Sequence, residues 1–275
     1  MRTHDLQKKE CVVDLGLKDK VVAVAAASKG LGQAVALRVA REGAKVAICS
    51  RNPKALQATA DDLAAQTGAP VLALEADLTR AQDAKRFIDA TADHYGGLDA
   101  LVCNAGGPPP GSFEDVDDAA WQAAFELTLM SVVRLTRVAL SHFKQRGAGR
   151  IVNITSVSVK QPIDNLILSN SLRMAVLGLS KSLANEYGGD GVTVNCVCPG
   201  YTETKRLDEL FQHRAAQMNV SLEDVKSYIA GTVPLGRLGQ PQELADLVAL
   251  LCSDRARYIT GAAIQVDGGT TKGYA

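Results

Sequence analysis

Seven short apolar runs, spaced along 275 residues with helix-length segments between them, limit what this chain can fold into more than any single residue does. The first four are Val21-Val22-Ala23-Val24, Lys45-Val46-Ala47-Ile48-Cys49, Val71-Leu72-Ala73-Leu74 and Ala100-Leu101-Val102-Cys103; residues 150–154, 192–197 and 263–266 supply three more. Continuous rather than alternating apolar runs suit strands covered on both faces, as in a parallel sheet. Helical patterns lie near residues 30–43, 53–67, 80–95, 117–146, 165–188 and 241–253. Pro53 and Pro241 stand in first turns, where a missing N–H costs nothing. Strand–helix alternation with short connections predicts one α/β domain, a doubly wound, seven-stranded parallel sheet over residues 17–275, after an arm over residues 1–16. Residues 203–233 form one long insertion. Ligands of such sheets bind beyond the carboxyl ends of the strands, so a substrate lid is expected there.

Composition narrows the classes. Thirty basic residues balance thirty acidic ones, so no global field favours nucleic acid or an anionic membrane. Aromatics are 4%, with no basic stripe interleaved with them. No stretch approaches the ~18 uninterrupted apolar residues of a membrane span, and Met1–Glu10 has no signal-peptide core, so a cytoplasmic protein is expected. The six cysteines are scattered, mostly in strand-like runs, and read as buried reduced thiols. Cys196-Val197-Cys198 has no second pair or nearby histidine, and His4, His94, His142 and His213 fall in the tail or on helical patterns; no metal site is expected.

The first strand leads into Ala25-Ala26-Ala27-Ser28-Lys29-Gly30-Leu31-Gly32 and then a helix. Glycines at 30 and 32 let backbone amides approach an anion and let helix pack on strand, and the helix N-terminus adds partial positive charge. The second strand ends in Ser50-Arg51.

Together these features resemble the short-chain dehydrogenases/reductases, most closely the 3-oxoacyl-acyl-carrier-protein reductase branch, over residues 17–270. The first loop is similar to the family's Thr-Gly-x-x-x-Gly-x-Gly, with Ala25-Ala26 replacing Thr-Gly. Asp77-Leu78, Asn104-Ala105-Gly106 and Pro199-Gly200-Tyr201-Thr202-Glu203-Thr204 follow in order, resembling its adenine-contacting segment, the end of its Asn-Asn-Ala-Gly and its nicotinamide-amide loop. The resemblance implies a Rossmann-type fold with a dinucleotide on Ala26, Ser28, Lys29, Gly30, Leu31, Gly32, Arg51, Asp77, Leu78, Asn104, Ala105, Gly106, Pro199, Gly200, Thr202 and Thr204. Arg51, where NAD users carry aspartate, suits the 2′-phosphate of NADP(H), with Lys29 assisting. At Ala26 a Cβ projects where glycine normally lets the adenosine ribose come close, and a small backbone shift is expected to absorb it. The helices near 117–146 and 165–188 resemble those that build the family's dimers and tetramers.

The catalytic motif departs from the pattern. Ser156 stands at the family's serine, but Ser169 and Arg173 occupy the places of the tyrosine and lysine in Tyr-x-x-x-Lys, and Thr128 that of the relay asparagine. The helix from Arg173 to Ala184 follows the family without a gap, and the enoyl-reductase spacing of Tyr and Lys is absent. An aliphatic hydroxyl is a poor acid, and serine ends about 4 Å short of a tyrosine's reach. Arginine donates hydrogen bonds but stays charged, so it cannot act as a titrating relay. Lys160, on the loop after the fifth strand, is a candidate replacement acid or base beside its reading as a solvated loop lysine; Ser158, Asp164, Asn165 and Tyr201 are weaker ones. The expectation is an NADP(H)-dependent oxidoreductase acting on a small carbonyl or alcohol, as a homotetramer or homodimer. The alternatives are a non-redox enzyme, such as a dehydratase or isomerase with Lys160 as base, and a cofactor-binding relative without catalysis.

Overall fold

The computed structural model describes residues 13–273. Strands β1 (Val21–Val24), β2 (Lys45–Ser50), β3 (Val71–Glu75), β4 (Ala100–Cys103), β5 (Gly149–Ile154), β6 (Val192–Pro199) and β7 (Ala263–Val266) form one parallel sheet in the order β3-β2-β1-β4-β5-β6-β7. The order reverses between β1 and β4. At such a switch point the chains leave in opposite directions and a crevice opens beyond the strand ends.

Helices α1 (Gly30–Arg41), α2 (Pro53–Thr67), α3 (Ala81–Tyr95), α4 (Asp118–Phe125), α5 (Ser131–Arg146), α6 (Ile167–Tyr187), α7 (Lys205–Met218), α8 (Leu222–Thr232) and α9 (Pro241–Cys252) complete the chain. Successive strand residues point to opposite faces, so Val22 and Val24 enter one core with Val35, Leu63 and Leu244, from α1, α2 and α9. Val21 and Ala23 enter the other with Phe87, Leu135, Phe143 and Val176, from α3, α5 and α6. Each such large apolar side chain, fully buried, contributes about 1.5–3 kcal/mol. Among the described residues no helix is long and apolar enough to cross a membrane.

Leu15 and Leu17 are buried in the first core, so packed structure already includes the last part of the arm expected over residues 1–16. Residues 1–12 of that arm, with His4 and Cys11, lie outside the described residues. Cys49, Cys103, Cys196, Cys198 and Cys252 are buried and unpaired.

Two regions differ from the sequence pattern. The segment 117–146 is interrupted by a π turn at Glu126–Met130, where the Ser131 N–H donates to the carbonyl of Glu126, five residues back. The Ser131 hydroxyl reaches the Leu127 carbonyl at 2.6 Å, satisfying an acceptor loosened by the wider turn. One surplus residue leaves apolar periodicity nearly intact, so the turn is invisible to a pattern reading. The insertion is not an open loop but α7 and α8, packed through Phe211, Ala215, Val225 and Ile229. Thr204 caps α7, and Ser221 with Asp224 forms a capping box on α8, a start signal present in the sequence.

Candidate functional site

A cleft of about 540 Å³ opens over the carboxyl ends of β1, β2, β4, β5 and β6. Its wall includes Ala26, Ser28, Lys29, Gly30, Leu31, Arg51, Asp77, Leu78, Asn104, Ala105, Gly106, Pro199, Gly200, Thr202 and Thr204, together with Ser156, Ser169 and Arg173. Gly32, Thr128 and Lys160 lie outside this lining.

At the β1 end, parallel pairing brings the Ala25 amide to the carbonyl of Val102, and the chain must then turn sharply into α1. Ala26 makes that turn in the left-handed region, at φ +48°, a conformation that costs an alanine about 1–2 kcal/mol. Its carbonyl accepts a hydrogen bond of 3.1 Å from the side-chain amide of Asn104, which ties the ends of β1 and β4 together across the crevice. Gly32 packs directly behind them. A Cβ there would stand 2.7 Å from the Ala26 oxygen and 2.9 Å from Ala27 Cα, so only glycine lets the helix sit this close. The amides of the first turn of α1 have no intrahelical acceptor and face the cleft with the helix dipole behind them, a setting that favours an anion.

Arg51 and Lys29 are exposed at the cleft's border, as the strand end and N-cap position require. Below Arg51, burial works to raise the pKa of Asp77. The Thr79 hydroxyl at 2.8 Å and its amide at 3.1 Å, with the Arg51 and Arg80 cations, outweigh it and hold the carboxyl below the usual range. Cys49 also borders the cleft, but burial pushes its thiol up to about 12 and leaves it unreactive.

At the β5 end, Ser156 caps a single 3₁₀ turn, Val157–Val159, by accepting the Ser158 amide at 3.1 Å. Lys160 follows that turn, outside the cleft lining, and its charge acts on Cys196 and Cys198 of β6. The Ser158 hydroxyl is buried without a partner among the described residues. Asn170 anchors the following loop by bonding both the amide and the carbonyl of Ile163, at 3.3 and 2.9 Å. Asp164 and Asn165 are exposed on this loop, and the Asn165 carbonyl accepts the Gly111 amide at 2.7 Å. Tyr201 is turned into the α7–α8 core against Phe211, and burial raises its hydroxyl.

Arg173 occupies the centre of this end. Its Nε donates to Ser169 Oγ at 3.1 Å, and its Nη1 donates to the main-chain carbonyls of Ile154 and Thr155 at 3.2 and 2.7 Å. Burial, followed by the nearby Arg206 cation, lowers its pKa to about 10, so the guanidinium remains charged at neutral pH. Thr128, buried in the π turn with no partner for its hydroxyl among the described residues, sits behind the wall that its neighbour Leu127 forms. The sequence reading missed Arg206, which enters the lining from the first turn of α7. Its position two residues after the capping Thr204 was the available signal.

A family model described as Enoyl-(Acyl carrier protein) reductase matches residues 25–271. The chain is 32% identical to the dehydrogenase/reductase SDR family member 4 of Sus scrofa over 92% of its own length and 88% of the relative's. It is 33% identical to the 2-(S)-hydroxypropyl-CoM dehydrogenase 3 of Xanthobacter autotrophicus, covering 93% and 98%. Among solved structures, the actinorhodin polyketide ketoreductase with NADPH superposes with a TM-score of 0.89 at 33% identity, covering 92% of this chain and 98% of that one. The L-sorbose reductase of Gluconobacter frateurii, complexed with NADPH and L-sorbose, gives 0.90 at 30% identity, covering 95% and 100%. With a model matched over residues 25–271 and relatives of this similarity over nearly their full lengths, the chain belongs to the short-chain dehydrogenase/reductase family.

Proposed function

We propose that this chain is an NADP(H)-dependent oxidoreductase that interconverts a small carbonyl and its alcohol, with a tetrad of Ser156, Ser169, Arg173 and Thr128 in place of the usual one. The observation that carries this reading is the continuity of the cleft, which joins Lys29 at the start of α1 and Arg51 at the end of β2 to Ser156 and Ser169 beside the end of β5. Its residues suit a phosphorylated dinucleotide: Arg51 at the β2 end and Lys29 at the start of α1, free helix amides in the middle, and a tight glycine at position 32 that keeps the backbone close. When bound, the dinucleotide supplies or accepts the hydride.

The protein's own groups then have separable tasks. Ser156 bonds the substrate oxygen. Ser169, whose oxygen already accepts from Arg173, keeps its own proton for donation to the same substrate atom. Arg173 holds that serine and the last turn of β5 without itself titrating near neutrality. Thr128 sits next to Leu127 of the wall, and Lys160, outside the lining, is given no direct part in the proton transfer. General-acid catalysis typically contributes ~10²–10⁴-fold, so turnover on simple ketones is slower than a tyrosine enzyme would give. Helices α5 and α6, whose outer faces line a groove with Val133, Leu140, Leu179 and Leu183, are proposed to meet a second copy in a homodimer or homotetramer.

Calorimetric titration with NADPH and NADH tests the reading, followed by nicotinamide absorbance on a carbonyl panel. NADPH binding tighter than NADH supports it; binding of neither ends it.

A further inference from the structure

At the Ser156 end of the cleft two guanidinium groups border the same space, Arg173 from α6 and Arg206 from the first turn of α7. Arg206 is fixed there: its Nη2 donates to the Pro108 carbonyl at 2.7 Å, and its Nε lies 3.4 Å from where a Cβ on Gly107 would stand. Its acidic neighbour, Glu209, is 3.7 Å away and half exposed on the next turn of the helix. The three bonds of Arg173 described above go to a hydroxyl and two carbonyls, none of which neutralises it. Lys205, next to Arg206 in the same turn, also enters the lining. The single carboxylate in the wall, Asp77, stands at the opposite end, under β3.

This cationic surplus does not match the dinucleotide. In a phosphorylated nicotinamide dinucleotide the phosphates lie on the adenosine ribose and in the central bridge, while the ring end is neutral when reduced and cationic when oxidised. Lys29, Arg51 and the amides of α1 already face the phosphate-bearing part. Arg173 and Arg206 are left facing substrate, and burial together with the Arg206 charge makes the arginine pair costly until an anion arrives.

We infer that Arg206, with Arg173 beside it, is a carboxylate-binding subsite, and that the substrate of this enzyme is an oxo acid or the corresponding hydroxy acid. The inference rests on the proposed oxidoreductase reading and adds its substrate class. A carboxylate presents two oxygens to the paired donors of a guanidinium, and the Pro108 contact pre-sets the Arg206 fork. With one end of the substrate gripped, its carbonyl is carried toward Ser156 and Ser169, and this orientation compensates in part for the missing phenol.

The test uses the whole protein saturated with NADP⁺, a combination that cannot reduce a ketone, so calorimetry reads binding alone. The probes are acetoacetate and 4-oxopentanoate, each against its methyl ester. At one or both chain lengths the acid binds roughly tenfold or more tightly than the ester. Arg206→Met abolishes that preference and leaves NADP⁺ affinity within about twofold, whereas Arg206→Lys, which keeps the charge, retains part of it. Equal binding of acid and ester at both lengths overturns the subsite. A weaker NADP⁺ affinity in Arg206→Met with the acid preference intact also overturns it, and assigns Arg206 to the cofactor. Failure to bind NADP⁺ at all overturns the oxidoreductase reading, and the subsite with it, whereas NADP⁺ binding without acid preference overturns the subsite alone.

Discussion

Arg173 donates its Nε proton to the hydroxyl of Ser169, one helical turn earlier, across 3.1 Å. In the tetrad proposed above, the residue at the family's lysine position thus holds the residue at its tyrosine position, and the two form a fixed donor chain where the family's chemistry runs through a phenol.

Arg173 also serves the fold. Replacing it with methionine strands the Ile154 and Thr155 carbonyls and is expected to cost about 1–3 kcal/mol in urea unfolding. Ser169→Ala removes one half-buried acceptor and is expected to cost less than about 1 kcal/mol. Equal costs for the two would mean the carbonyl contacts contribute nothing.

The pH profile follows from the same residue. Burial and then the Arg206 charge disfavour the protonated form, so the Arg173 value is depressed to about 10, still well above neutrality. The guanidinium therefore keeps its proton through neutral pH, and kcat is expected to be flat from about pH 6 to 9. A kinetic midpoint inside that window would assign proton transfer to another group. In the double variant Ser169→Tyr with Arg173→Lys, a titrating limb should appear within it.

Ala26 stores strain at φ +48°. Ala26→Gly relieves about 1–2 kcal/mol but gives back roughly 0.5–1 through the freer unfolded chain. The expected net is a gain of up to about 1 kcal/mol in thermal unfolding, with tighter NADPH binding because the ribose side of the loop loses a methyl. A less stable glycine variant would show that the loop is not strained at this position.

Gly32→Ala should do the reverse. Its methyl would meet the Ala26 oxygen at 2.7 Å and Ala27 Cα at 2.9 Å, both main-chain atoms that yield only by moving the loop. A loss of about 1–3 kcal/mol is expected, with NADPH binding weakened as well. Unchanged calorimetry for this variant would remove the β1–α1 loop from the cofactor site.

Arg51→Ala is expected to weaken NADPH roughly ten- to a hundredfold and to leave NADH almost unchanged, since only the phosphorylated ribose offers it an anion. Parallel titrations read the ratio directly, and equal losses for both dinucleotides would refute a role in phosphate selection.

Most of the sheet was legible because strands carry their own signal: runs such as Val21–Val24 and Ala100–Cys103 are apolar on both faces, and the observed sheet buries both. The loop after β1 and the strand-end residues Arg51, Asn104 and Ser156 could be placed because their motifs resemble the family's, and a doubly wound topology brings carboxyl ends together. Side-chain direction after a turn was not legible. Lys160 follows a 3₁₀ turn and falls outside the cleft lining, while Arg206 enters that lining on the helix that Thr204 starts. The helices of the insertion, α7 and α8, were signalled only by their caps at Thr204 and Ser221.

In helical phase, the π turn at Glu126–Met130 offsets α4 from α5 by one residue, a rotation of about 100°. Ala124 thereby faces Leu168 and Leu172 on α6, while Leu135 and Phe143 stay in the main core on α5. Delete one residue from that turn and the straightened helix could satisfy only one of the two contacts. The rear wall of the substrate end, Leu127 included, is held in position by a single uncounted step in the winding of a helix.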